Sequence, residues 1–268
     1  MRNYWVSGLF LALLVTSYAF AALPGAQTSS AEAGRRPVVI ELFTSEGCSS
    51  CPPADALLQR LEAQQPVAGA EIIALEEHVD YWNHLGWSDP YSSAEWTERQ
   101  QTYAALFKND SYTPELVVDG HSQFVGSNER EAKLEIGKAA RGAKTEVAIA
   151  SAAPEAGGSQ RFTVSVGKLA EDKSGDVAEV WLAVTEDALH SSVSRGENAG
   201  QVLHHVATLR SLRKIGIAKA NATSASFTGD TLVKFDSHWN ADNLHVTVFV
   251  QWKKNREILG ATSTKAKG

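Results

Sequence analysis

The stretch from Val38 to Leu61, VVIELFTSEGCSSCPPADALLQRL, constrains this chain more than any other. Val38, Val39, Ile40, Leu42 and Phe43 form a short apolar, largely β-branched run, the pattern of a parallel strand covered on both faces. Gly47 allows a sharp turn into Cys48-Ser49-Ser50-Cys51. Pro52 and Pro53 then fall in a first helical turn, where their missing N–H groups would have had no partner. Ala54, Leu57, Leu58 and Leu61 recur at i, i+3, i+4 and i+7, one apolar helical stripe. The cysteines therefore stand at a helix N-terminus. Unpaired N–H groups and the positive helix end stabilise a thiolate there, the species that attacks disulfides. Cys48 is expected to be the more exposed and more acidic thiol, moderated by the nearby charge of Glu46.

These are the only two cysteines in the chain. A purely stabilising disulfide would close a loop of about four residues, which removes little unfolded-chain entropy, well below the ~3 kcal/mol of a loop of about 15. A structural zinc site takes four protein ligands, and no second C-x-x-C completes one. The spacing favours redox chemistry, with a structural pair as the alternative. Two thiolates plus an imidazole would also suit Cu(I) or Zn(II), which makes metal binding the runner-up.

The chain opens MRNYWVSGLFLALLVTSYAFAALPG, with Arg2 ahead of an apolar run and Ala19-Phe20-Ala21 fitting an A-x-A cleavage site. Residues 1–21 are read as a secretory signal peptide and 22–36 as a flexible lead-in. No other segment resembles a membrane span, so a secreted or periplasmic protein without membrane attachment after cleavage is expected. Export would place the cysteines in an oxidising compartment, where a C-x-x-C can cycle. A net charge of −6, a pI near 5.8 and the lack of a basic cluster argue against nucleic-acid binding.

Glu71 to Leu75 reads as a second strand, and Ser92-Ser93-Ala94-Glu95 as a capping-box start to a helix reaching about Lys108. Leu116-Val117-Val118, Asp119-Gly120 and His121 to Val125 make a strong hairpin signal. Ser127 or Asn128 caps a third helix. The order is β-α-β-α-β-β-α. With its C-x-x-C and Thr113-Pro114 ahead of the third strand, the segment 37–141 resembles a thioredoxin-superfamily domain. The resemblance implies a cis bond at Pro114, packed against the C-x-x-C and exposing backbone that pairs with a substrate chain. The strand through Glu41 also resembles that of periplasmic disulfide oxidoreductases of the DsbA type. There a buried acid moves the partner cysteine's proton, which makes Glu41 the candidate; a solvent-facing or ion-paired carboxylate is the alternative. More narrowly, ELFTSEGCSSCPPAD, HVDYWNHLGW, YTPELVVDG and RGEN together resemble one secreted bacterial family of unknown function with a thioredoxin-like fold.

From Thr145 the pattern changes to period-two alternation, as in Phe162-Val164-Val166, Val180-Leu182-Val184 and Leu244-Val246-Val248-Val250. Segments 144–151, 202–212, 226–235 and 257–262 can supply further strands. Ala152 to Gly158, Asp172 to Gly175 and Asn221 to Thr223 supply turns. Residues 145–263 are expected to form an all-β sandwich-like domain, with the boundary between Ala140 and Lys144.

The run His78-Val79-Asp80-Tyr81-Trp82 follows the second strand, at the sheet edge where the C-x-x-C also emerges. It is read as a substrate-lining wall with His78 or Asp80 assisting proton transfer, or else as a packed loop whose Trp82 fills core. Arg195 and Glu197 are read as a surface pair, or as part of a loop folded over the site. His204 and His205, on one strand, cannot both serve one metal. Serine-hydrolase motifs, phosphate loops and dinucleotide fingerprints are absent from the sequence. The expectation is therefore an exported thiol–disulfide oxidoreductase. Cys48 attacks, Cys51 resolves, Thr113 and Pro114 form the docking turn, and Glu41, His78, Asp80 and Trp82 shape the site. Its substrate is a protein or small thiol or disulfide, its redox partner is unnamed, and it needs no organic cofactor and no metal. A non-catalytic adaptor is the third class of reading.

Overall fold

The computed structural model describes Met1 and residues 34–169, 175–219 and 225–267. The expected signal peptide, most of the lead-in and much of the turns near Asp172 and Asn221 lie outside the described residues. Strand β1 (Arg36–Thr44) leads to helix α1 (Pro52–Gln64), which starts directly from Cys51 with prolines in its first turn. Strand β2 (Ala70–His78) runs parallel to β1 in a register that pairs Ile40 with Ala74 and Thr44 with His78. Helix α2 (Ala94–Phe107) begins at Ser93, whose side chain accepts the Glu95 N–H. Strands β3 (Glu115–Val118) and β4 (Ser122–Val125) form the expected hairpin, with Asp119 and Gly120 both at positive φ, +48° and +66°. That is the turn geometry an Asp-Gly pair favours. Helix α3 (Glu129–Ala139) is capped by Asn128, which accepts the Glu131 N–H.

The remaining strands are β5 (Val147–Glu155), β6 (Ser159–Val166), β7 (Ala178–Glu186), β8 (Leu189–Ser192), β9 (Val202–His205), β10 (Thr208–Ala218), β11 (Phe227–Lys234), β12 (Leu244–Trp252) and β13 (Ile258–Lys265). Four of them do not stay apart from the first half. The large sheet runs β13-β12-β7-β10-β2-β1-β3-β4, mixed and continuous, because β10 joins the outer edge of β2 in parallel through Thr208 and Glu76. The chain is therefore a mixed α/β fold built on one eight-stranded sheet, with a three-stranded antiparallel sheet (β11-β6-β5) and a two-stranded one (β8-β9). The expected boundary falls in the loop from α3 to β5, yet Gly34–Gly268 forms one compact unit.

Alternation along the strands sorts the core into two faces. Val38, Ile40, Leu42, Ile72 and Ala74 face Leu57, Leu58 and Leu61 of α1 and Ile136 of α3. Val39, Ile73 and Leu75 face Trp96 of α2, together with Leu209 and Phe249. The three-stranded sheet packs through Phe162, Val164 and Val166 onto Val180, Leu182, Val246 and Val248. The run 202–212, read as one strand, is two: Ala207 at φ +49° turns the chain between β9 and β10. This lets β8 and β9 leave the large sheet as a separate two-stranded one, with β9 packed against α1.

Candidate redox site beneath an inserted loop

Cys48 and Cys51 are joined in a disulfide where β1 hands over to α1. Both are fully buried, so the expected exposure of Cys48 is corrected. The segment between β8 and β9 accounts for part of that cover. Asn198 donates from Nδ2 to the carbonyls of Glu46 (2.8 Å) and Cys48 (3.0 Å). Glu197 accepts from the Ser49 N–H (3.0 Å) and hydroxyl (2.6 Å). Of the two readings of this loop, the one in which it folds over the C-x-x-C is the one observed. Gly196, at φ +76°, lies close to Trp87, and a Cβ there would come within 3.2 Å of the Trp87 Cβ.

A buried polar cluster lies on the α1 face of the sheet. Glu76 and His78 are two apart on β2 and so share that face. His205 arrives from β9, while its neighbour His204 points outward and is exposed, as strand alternation requires. The His78 Nδ1 is 2.7 Å from Asp89 Oδ2, and its Nε2 is 3.5 Å from Glu76 Oε2 with no hydrogen-bond partner. His205 Nδ1 is 3.3 Å from Glu76 Oε1, and its Nε2 is 3.1 Å from Glu46 Oε1. The imidazole centroids are 4.6 Å apart, edge to face, and Tyr91 packs against both. The ligand atoms of Glu76, His78 and His205 all lie within 4.8 Å of one another, so these three could hold a metal. Asp55 sits in the same neighbourhood, one helical turn beyond Cys51 on the same side of α1, and accepts the Thr44 hydroxyl at 2.6 Å.

The ionisation states follow from burial and partners. Burial pushes the Asp55 carboxyl up to about 7, helped by the charge of Glu76. For Glu76 burial acts in the same upward sense, but His205 and His78 override it and hold the carboxyl at about 2. Burial would lower His205, yet Glu76 and Glu46 raise it to about 9. His78 is likewise raised against burial by Asp89 and Glu76.

The other expected site residues divide between the two faces and the loops. The Thr113–Pro114 bond is cis. A Cβ on Gly126 would meet both Pro114 and Ala54 at 3.2 Å, which puts the proline beside the first turn of α1. Trp82 donates from Nε1 to the Thr113 hydroxyl at 2.9 Å, and its Cβ crowds Gly47. Trp82 thus bridges the C-x-x-C turn and the proline turn. Asp80 instead accepts the Thr97 hydroxyl (2.6 Å) at the start of α2, away from the imidazoles. Glu41 is also corrected. It lies on the α2 face, fully buried, bonded to Arg99 (2.5 Å) and the Tyr103 hydroxyl (2.6 Å), with no contact to either cysteine. Strand parity decides this, because Thr44 and not Glu41 points toward α1.

Glu46, Asp55, Glu76 and Asp89 were not singled out from the sequence as site residues, Asn198 entered only through the RGEN segment, and His205 was weighed only together with His204. Two signals were present: Glu76 and His78 at i, i+2 on a strand, and Asp55 at i+4 from Cys51.

The solved structures that resemble this fold include the following two. Protein AGR_C_4864 from Agrobacterium tumefaciens is 24% identical with a TM-score of 0.64, the match covering 87% of this chain and 96% of that one. HBP35 of Porphyromonas gingivalis is 17% identical with a TM-score of 0.61, covering 87% of this chain and 76% of that one. No curated protein matches the chain. Residues 39–251 match the model of the family described as "Protein of unknown function (DUF1223)", and the chain belongs to that family.

Proposed function

We propose that this chain is an exported thiol–disulfide oxidoreductase-like protein that acts through Cys48 and Cys51. The observation that carries the reading is the disulfide at the start of α1, with the Asp55 carboxyl one turn beyond Cys51. The order β1-α1-β2-α2-β3-β4-α3, with a cis Thr113–Pro114 bond ahead of β3, supports the likeness to the thioredoxin superfamily. In the dithiol form, the Cys48 thiolate attacks a substrate disulfide, forms a mixed disulfide and releases one substrate thiolate. Cys51 gives its proton to Asp55 and attacks the Cys48 sulfur. The second substrate thiolate leaves and the Cys48–Cys51 bond is restored, so two electrons pass to the substrate. Run backwards, the same steps oxidise a substrate dithiol. A carboxyl near 7 is well placed to take or give that proton at neutral pH.

The substrate is a protein or a small thiol or disulfide, and the chemistry needs no organic cofactor. The covering segment lifts to admit it. Its Glu197 latch is fully exposed, so that ion–dipole contact holds the segment weakly. The N-terminal segment supports a secreted or periplasmic location, and among the described residues no helix is long and apolar enough to cross a membrane. Incubating the reduced Cys51→Ser variant with oxidised glutathione tests the assignment. A glutathione adduct on Cys48 in the folded protein is expected. An adduct that forms only after unfolding would make the pair a structural staple.

A further inference from the structure

The geometry points to a divalent transition-metal site formed by Glu76, His78 and His205, separate from the thiol chemistry of the cysteines. The three side chains come from β2 and β9 and are buried, with His78 and Glu76 fully excluded from solvent. Glu76 offers one oxygen to each imidazole, at 3.5 Å from His78 Nε2 and 3.3 Å from His205 Nδ1. Charge-assisted hydrogen bonds between such groups are about 2.7–2.9 Å long. The His205 contact is a long hydrogen bond, whereas His78 Nε2, buried and facing Glu76, makes none. With one donor atom taken from each residue, the three atoms lie within 4.8 Å of one another, close enough to converge on a single ion.

The outer contacts have the form that metal-bound histidines use. Each imidazole keeps its other nitrogen on a separate buried carboxylate: His78 Nδ1 on Asp89 at 2.7 Å, and His205 Nε2 on Glu46 at 3.1 Å. On binding an ion, each imidazole gives up the proton on the nitrogen facing Glu76 and keeps the one donated to Asp89 or Glu46, which leaves both lone pairs directed at the ion. The Asp89 carboxylate is itself anchored by the Glu46 and Tyr91 N–H groups, and the Thr208 hydroxyl donates to Glu76 at 3.0 Å. Two nitrogens and one carboxylate oxygen suit Zn(II) and its first-row neighbours, and leave one coordination position for a further donor.

The experiment uses untagged, metal-free protein and Zn(II) alone, read by calorimetry or competition with a chromogenic chelator. One Zn(II) per chain is expected, retained in the Cys48→Ser/Cys51→Ser double variant. Affinity should fall at least about 100-fold in His205→Ala and about 10–100-fold in Asp89→Asn, a partner that does not itself bind the ion. Co(II) loading of the unmutated protein gives a second reading that does not depend on a variant folding. It should show visible d–d bands without a sulfur-to-metal charge-transfer band. No binding at micromolar Zn(II), binding that survives His205→Ala, or a charge-transfer band that disappears with the cysteines would each overturn the assignment.

Discussion

Asn198 donates to the Cys48 carbonyl at 3.0 Å from 150 residues further along the chain. The same amide reaches the Glu46 carbonyl, so one side chain closes the loop between β8 and β9 over the disulfide turn. The second half of the chain therefore completes the site that the first half begins.

Asn198→Ala removes both bonds and leaves two carbonyls without them. A stability loss of about 1–3 kcal/mol is expected by urea unfolding. The disulfide should be reduced several-fold faster by dithiothreitol in the native protein, because the cover opens more often. An unchanged reduction rate would mean that the segment does not gate the sulfurs.

Glu41→Gln tests the relocation of that acid to the α2 face. Arg99 would lose its closest charge partner, with only Glu77 remaining within 3.5 Å. Removing one member of a buried pair costs on the order of 3–5 kcal/mol. Thiol–disulfide exchange by the folded variant should stay within about twofold of the parent. A large loss of exchange with full stability would return Glu41 to the site.

The contrast shows what the sequence carries. The strand, the C-x-x-C, the helix stripe, the Asp-Gly hairpin and the helix caps are local, and each was legible from spacing alone. Which face Glu41 occupies was not, because a run of apolar residues on both sides hides the parity that Thr44 reveals. Glu76 and Glu77 lie just past the run read as the second strand, yet both are buried, on opposite faces. His205 reaches the site only through the β8–β9 excursion and the joining of β10 to β2. The β10–β2 pairing links Thr208 to Glu76, more than a hundred residues apart, and no local pattern encodes it.

Asp55→Asn separates catalysis from stability. A buried carboxyl raised to about 7 from 3.8 keeps its proton in the folded state and loses it in the unfolded one across that window. The folded state is then progressively disfavoured as pH rises from 3.8 through 7, and the amide removes that penalty. The variant should be more stable than the parent at pH 8. Resolution of the mixed disulfide should slow on the order of 10²-fold, the lower end of what general acid–base catalysis supplies. Equal exchange rates would remove Asp55 from the mechanism.

Glu115, next to Pro114, gives a pH effect remote from the imidazoles. Burial raises its carboxyl to about 7 from 4.5 despite the Gln100 hydrogen bond, and its Oε1 has no partner. The folded state holds the extra proton between those values, so stability falls as pH rises through that window and levels off above it. The loss is on the order of 3 kcal/mol before solvent screening, which reduces it. Glu115→Gln should flatten the profile of unfolding free energy between pH 5 and about 8. A parallel profile would place the titration elsewhere.

The reduction potential of Cys48–Cys51 in the folded protein tests the central claim most directly. Equilibration with thiol–disulfide buffers, read by mass after alkylation, should be reversible and give a value above about −300 mV, the range of labile and catalytic pairs. A value below that, or reduction that occurs only together with unfolding, would contradict the redox assignment.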